Sequence, residues 1–172
     1  MKQSYVQVYT GNGKGKTTAA MGLAMRAAGR GKTVKIVQFL KGRDTGEMFI
    51  IENIDNIALF RVSDCKRFFN ALSVEEKKAM RQSVCNMLPV VKEWLGEADL
   101  MILDEAMAAI SCGILKTDEV IYIIDNRGST EIVLTGRDAP KAILKRAHLI
   151  TEMREIKHYY KSGATARKGI EY

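Results

Sequence analysis

The chain has little of several residues that usually carry chemistry: three cysteines, two histidines, two prolines and one tryptophan among 172 residues. Cys65, Cys85 and Cys112 are too far apart for a C-x-x-C metal or redox pair, and an odd count excludes a complete disulfide framework. They are expected as reduced thiols, with Cys85 falling on an apolar helical pattern and reading as core. His148 and His158 form no H-x-E or H-x-x-x-H pair, so no zinc site is expected. Aromatic residues reach only 7%, which leaves little material for the stacking platforms that bind single-stranded nucleic acid. Long apolar runs are also missing: no window holds the ~20 uninterrupted apolar residues that a membrane span needs. The opening residues run straight into a strand and a glycine-rich loop, without the pattern of a signal or targeting peptide, so a cytoplasmic location is expected.

What is present is globular. Hydrophobic residues at 47% and charged residues at 27%, in a chain of this length, predict one domain spanning residues 1–172. The net charge of +7 calls for an anionic partner. Lysine and arginine are not gathered into one tract but recur at Lys14, Lys16, Lys41, Arg43, Arg137, Arg154, Lys157 and Lys161. That spread suits a pocket for a small polyphosphate better than a nucleic-acid face, and no nucleic-acid or membrane partner is expected.

Hydrophobic periodicity predicts alternating strands and helices. Tyr5–Tyr9 reads as a strand that feeds the loop Gly11–Gly15, and Lys16–Gly29 shows helical spacing. Thr33–Phe39 and Ile57–Val62 read as the next strands. Ser73 followed by Glu76 is a capping box that opens a helix reaching about Leu95, with Pro89 expected to kink or divide it. Leu100–Leu103 is a run of four apolar residues, as in a strand buried on both faces. Thr117, Asp118 and Glu119 open a helix ending near Gly128, and Glu131–Thr135 is a strand. Asp138 and Pro140 are expected to cap a helix through Arg146, and His148–Glu152 is a last short strand. Lys161–Tyr172 lacks periodicity and reads as a loop or ordered tail. The alternation implies an α/β fold: a doubly wound, mainly parallel sheet of the P-loop NTPase (RecA-like) type, with ligands at the carboxyl ends of the strands.

The strongest motif is Thr10-Gly11-Asn12-Gly13-Lys14-Gly15-Lys16-Thr17-Thr18. Glycines let successive backbone N–H groups converge on phosphate oxygens at a helix N-terminus, Lys16 adds a mobile charge, and Thr17 stands where a hydroxyl usually binds Mg²⁺. The general pattern G-x-x-x-x-G-K-[ST] would place glycine where this chain has Thr10. A second element, the apolar strand ending in Asp104 and Glu105, puts a carboxylate where P-loop proteins organise their metal. Asp104 and Thr17 are therefore the candidate metal residues. Glu105 is a candidate general base, or a group that holds a ribose or a basic partner. Lys41 and Arg137 follow strands and are candidates for reaching phosphates from the side.

These residues lead to Mg²⁺-nucleotide binding, which one fold uses for many reactions. An ATPase or small-molecule kinase with Glu105 as base remains open on this ground, as does a RecA-like nucleic-acid module. Further stretches discriminate: Val37-Gln-Phe-Leu-Lys-Gly42, Leu134-Thr-Gly-Arg-Asp-Ala-Pro140, Leu149-Ile-Thr-Glu-Met-Arg154, Lys157-His-Tyr159 and Gly169-Ile-Glu-Tyr172. With the loop and Leu103-Asp-Glu105, they give a chain that resembles the P-loop family of ATP:corrinoid adenosyltransferases over nearly its whole length. The family's loop looks the same at the Thr10 position. Arg61–Leu72, with Phe68 and Phe69, departs from the aromatic segment associated with the family; the adjacent aromatics there could cover a corrin's apolar face but read sooner as core.

The resemblance implies ATP as co-substrate with Mg²⁺, a reduced corrinoid as acceptor, inorganic triphosphate as product, a reducing flavoprotein as a possible partner, and a homodimer. It implies Lys16, Asp104 and Glu105 as catalytic residues, with Gly11, Asn12, Gly13, Lys14, Gly15, Thr17, Thr18, Lys41 and Arg137 around the nucleotide. Co(I) is itself a strong nucleophile, so such a reaction needs no activated serine, cysteine or histidine, and none is evident at a motif.

Overall fold

The computed structural model describes residues 3–40, 42, 44–63, 67 and 69–172. Twelve elements alternate: β1 Val6–Thr10, α1 Lys16–Ala28, β2 Val34–Gln38, α2 Gly46–Ile51, β3 Ile57–Arg61, α3 Val74–Glu93, β4 Leu100–Asp104, α4 Ala106–Ser111, α5 Thr117–Asp125, β5 Glu131–Thr135, α6 Lys141–Leu144 and β6 Leu149–Glu152. The strands form one sheet in the order β3-β2-β4-β5-β1-β6, with every neighbouring pair parallel. A parallel sheet must be covered on both faces, and the two faces of β4 show how. Met101 and Leu103 join a core with Val84, Leu88 and Val91 of α3 and Ile123 and Ile124 of α5. Leu100 and Ile102 point the other way, toward Ala20, Met21 and Ala24 of α1. Every residue of β4 is buried, as the uninterrupted apolar run predicts.

Local signals act where expected. The Ser73 hydroxyl accepts from the Glu76 N–H at 3.2 Å while the Glu76 carboxylate accepts from the Ser73 N–H at 2.7 Å, closing the capping box of α3. Glu119 ties the start of α5 to α3: it accepts from the Lys116 N–H at 2.8 Å and takes both arms of the Arg81 guanidinium at 2.8 and 2.5 Å. That bidentate pairing and burial act in opposite senses on Glu119; burial is the largest single influence and raises its pKa, yet the bonds together hold it below the usual value.

Four expectations change. Pro89 does not divide α3, which runs unbroken through it; the proline lies on the exposed side, where water can satisfy the carbonyl it leaves without a donor. Asp138 does not cap α6. It takes a left-handed conformation with φ 54°, Pro140 stands at the cap, and the helix ends at Leu144 rather than Arg146. Two short helices, α2 and α4, were not expected, being too short for helical periodicity to register. Phe69 packs against the larger core from a 3₁₀ turn at Phe69–Ala71 and stays partly exposed, while Phe68, Cys65 and Lys66 lie outside the described residues. Cys85 is half-buried on α3 rather than fully in the core. Among the described residues, no helix is long and apolar enough to cross a membrane.

Candidate active site

The strand order decides what can meet. β1 and β4 are separated by β5 alone, so the loop leaving β1 and the carboxylate ending β4 lie at the same edge of the sheet, roughly 10 Å apart at the backbone. Thr17, in the first turn of α1, closes that gap. Its hydroxyl donates to Asp104 Oδ1 at 2.8 Å. Thr135, ending β5, donates to the same oxygen at 2.7 Å and accepts from the Glu105 N–H at 2.9 Å. On the other side of β4, Gln38 ends β2 in register with Asp104 and donates from Nε2 to Oδ2 at 3.0 Å. Asp104 is fully buried, and hydroxyl and amide donors satisfy it there in place of water. Gln38 Oε1 is also buried and has no hydrogen-bond partner among the described residues.

Above this network lies the glycine-rich loop. Its floor is the segment after β6: the Gly13 N–H donates to the Met153 carbonyl at 2.7 Å, and the Met153 N–H donates to the Thr10 carbonyl at 2.8 Å. The approach is too close for side chains. A β-carbon at Gly11 would come within 2.4 Å of the Met153 oxygen, and one at Gly13 within 2.7 Å. Asn12 fastens the same segment by accepting from the Glu155 N–H at 3.0 Å.

Lys16 folds back over the loop and donates to the carbonyls of Gly11 and Gly13, at 2.7 Å each. Burial lowers its pKa, and the nearby charge of Arg137 lowers it further. Lys16 also begins α1, a helix of 13 residues with no acidic residue in its first turn, so the positive end of the helix dipole is not offset locally.

The loop opens on a cleft of about 940 Å³ lined by Asn12–Thr18, Gly46, Glu47 and Ile50 of α2, Glu105, Thr135–Arg137 and the chain's last four residues. Of the sequence-derived candidates, Asn12, Gly13, Lys14, Gly15, Lys16, Thr17, Thr18, Glu105 and Arg137 all border this cleft. Gly11 borders a smaller, polar groove on the far side of the loop, which Arg137 also lines. Asp104 lies beneath the cleft. Lys41 lies outside the described residues. Glu105 has φ 60°, a left-handed conformation that costs a non-glycine residue of order 1 kcal/mol and recurs at functional sites. Thr135 lines the cleft while its hydroxyl joins Asp104 to the Glu105 N–H.

Lys14 has another set of partners. Its ammonium donates to Glu171 Oε1 at 2.7 Å, the Tyr159 hydroxyl at 2.9 Å and the Ile170 carbonyl at 3.1 Å. Sequence reasoning missed this cluster and missed Gln38. A polar residue ending the otherwise apolar β2 was a usable signal for Gln38; the tail offered none.

Comparison with known proteins agrees with this geometry. The family described as ATP:corrinoid adenosyltransferase BtuR/CobO/CobP matches residues 2–172. The corrinoid adenosyltransferase of Escherichia coli K12 is 33% identical over 175 residues, covering 99% of this chain and 87% of that protein. Corrinoid adenosyltransferase CobA of Salmonella typhimurium is 34% identical over the same shares, and the Pseudomonas aeruginosa corrinoid adenosyltransferase is 32% identical over 96% of this chain and 82% of its own. Among solved structures, the cytoplasmic domain of EssC superposes with a TM-score of 0.56 at 16% identity, and ATPases 2 and 3 of EssC from Geobacillus thermodenitrificans with 0.54 at 14%. Each covers 96% of this chain, which in turn spans only about a third of those chains, and the likeness is one of fold. The phosphate loop over a buried strand-end carboxylate, with family similarity from residue 2 to residue 172, makes this chain a member of the ATP:corrinoid adenosyltransferase family, a transferase that uses ATP as co-substrate.

Proposed function

We propose that the chain moves the 5′-deoxyadenosyl group of ATP onto the Co(I) centre of a reduced corrinoid, with the triphosphate held on the phosphate loop as leaving group. The observation that carries this reading is the contact between Thr17 and Asp104 beneath Lys16. It joins the anion-binding end of α1 to a buried carboxylate at one edge of the sheet. In the step itself, a cobalt electron pair forms the bond to C5′, the C5′–oxygen bond breaks, and its electrons leave on the triphosphate. The cobalt passes formally from +1 to +3, so no external oxidant is needed.

The protein's part is positioning and electrostatics. Lys16 is half-buried and held by two carbonyls, so its charge is fixed where negative charge builds on the departing oxygen. The α1 N-terminus adds a field of the same sign. Glu105 and Arg137 face the cleft and are assigned to orient the nucleotide, Arg137 on the phosphate side. The donor set suits Mg²⁺: Thr17 Oγ1, the Asp104 carboxylate and Gln38 Oε1, which has no partner among the described residues, are all hard oxygen ligands. Bound there through Thr17 and Asp104, Mg²⁺ would supply charge neutralisation on the triphosphate. A reducing flavoprotein as electron source, a homodimeric assembly and a cytoplasmic location complete the proposal.

The test is the phosphorus product. Given chemically reduced cobalamin, ATP and Mg²⁺ without oxygen, the protein should form a light-sensitive cobalt–carbon bond and release intact triphosphate in equal amount. ADP and orthophosphate appearing at comparable rate without corrinoid would instead make Glu105 a water-activating base and defeat the proposal.

A further inference from the structure

The last twelve residues lack any periodic pattern, yet they fold into a tight unit around one carboxylate. Glu171 collects the Lys14 ammonium at 2.7 Å, the Tyr159 hydroxyl, the Arg167 N–H at 2.8 Å and the Arg167 Nε at 3.3 Å. The guanidinium of Arg167 and the ammonium of Lys14 also stand over the Tyr159 ring, 4.9 and 5.7 Å from its centre. Backbone bonds then turn the chain end: the N–H groups of Ile170 and Glu171 donate to the Arg167 carbonyl, and that of Gly169 to the Tyr172 carbonyl at 2.7 Å. The turn sets Gly169, Ile170, Glu171 and Tyr172 along the cleft that the phosphate loop opens on.

We propose that Glu171 is a positioning residue of the nucleotide site: it pins the carboxy-terminal segment to the phosphate loop through Lys14, so that Gly169–Tyr172 forms one wall of the ATP cleft. Lys14 then serves that wall rather than the triphosphate. The inference rests on the reading of the loop as the triphosphate site. Its basis is donor arithmetic. An ammonium has three N–H donors, and all three of Lys14 are taken by groups of the tail. Lys16, by contrast, has two taken by its own loop and keeps one. Withdrawing Lys14 toward a phosphate would also leave Arg167 as the cation paired with the Glu171 carboxylate where it faces a polyanion, weakening the offset of a like-charge contact in the same cleft. The protonation states agree with a firm pin: hydrogen bonding from Lys14, then from Tyr159 and Arg167, holds Glu171 well below the usual carboxylate range, and the bond to Glu171 raises Lys14.

The experiment measures binding of ATP and of inorganic triphosphate to the full-length wild type, Lys14→Met, Glu171→Gln, the double variant and Lys16→Ala, with hydrogen exchange of the Ile170 and Glu171 amides alongside. Each of the two single variants should release those amides and weaken ATP by a similar factor, about tenfold, with the double variant no weaker than either single. Lys14→Arg should keep most of the pin. If Glu171→Gln instead leaves ATP unchanged or tightens triphosphate, and the double variant falls to the level of Lys14→Met, then Lys14 is a phosphate ligand and the proposal is wrong. Released amides with unchanged ATP binding would equally overturn the wall. Lys16→Ala separates the two readings: it should lose triphosphate, and if it does not, the loop assignment fails rather than the role of Glu171.

Discussion

The phosphate loop is held from two sides by networks of opposite character. Beneath it, Asp104 is sealed from solvent and accepts hydrogen bonds from Thr17, Thr135 and Gln38, which sit on strand ends or the first turn of a helix. At its outer side, Lys14, Glu171 and Arg167 form an ionic cluster in which the lysine side chain is 43% exposed. The first network gains its strength from burial and would be costly to leave incomplete. The second works in water, where salt screens it and exchange with solvent is cheap. One side of the loop is therefore built as part of the core, the other as an adjustable edge.

The sharpest way to break this contrast is Asp104→Ala. It leaves the buried Thr135 hydroxyl and Gln38 amide without their acceptor and releases Thr17 at the cleft, and should cost about 3 kcal/mol of stability by chemical denaturation together with nearly all activity. A loss of activity without loss of stability would mean the carboxylate is not integral to the core. Asp104→Asn, nearly isosteric, should spare more of the fold and appear as a raised Mg²⁺ requirement.

An intermediate effect concerns Lys16, which lies between the two networks. In the proposed role its charged form binds phosphate, and burial with Arg137 sets its pKa below the ordinary lysine value. ATP affinity should therefore be full at low and neutral pH and fall as pH rises through that lowered value, before an ordinary lysine at 10.5 would titrate. Lys16→Arg should remove the alkaline fall even if it binds less well, because a guanidinium does not deprotonate in this range. An unchanged alkaline limb in that variant would assign the fall to another group.

The smallest expected effect is the response to salt. Raising ionic strength should speed exchange of the Ile170 and Glu171 amides while leaving the Glu105 amide, bonded to Thr135, as slow as before. Both regions responding alike would erase the distinction. Because Glu171 is lowered and Lys14 raised, the outer pin should be fully formed from the ordinary carboxylate value of 4.5 up to the ordinary lysine value of 10.5, weakening only beyond each end.

The same division explains what could be read from the amino acids alone. The inner network uses residues with local signatures: a glycine-rich run before a helix, and an apolar strand ending in a carboxylate. The six strands and the parallel sheet follow from short-range patterns as well. Gln38 was within reach, since a polar residue closing an apolar strand needs a partner. The outer network had no such signature. Lys14 and Glu171 lie at nearly opposite ends of the chain, and only the docking of β6 beside β1 makes them neighbours. By its place in the motif Lys14 reads as a nucleotide-binding residue, and its bonds to Tyr159, Ile170 and Glu171 depend on tertiary structure. Pro89 in α3 and the short helices α2 and α4 were hidden for a related reason: solvent exposure and packing decide them, and local propensity does not.

The bonds between Gly13, Met153 and Thr10 also bear on when the molecule becomes competent during synthesis. The loop is encoded in the first tenth of the chain, but the peptide it rests on comes from the last eighth. A ribosome that has delivered β1 through β5 has supplied most of the core and none of the loop's floor. Closing that contact spans most of the sequence and belongs to the slow, non-local class of folding events. Nucleotide affinity should thus appear late in folding, once residue 153 has docked beneath the loop, and a chain that stops after β5 should not hold ATP.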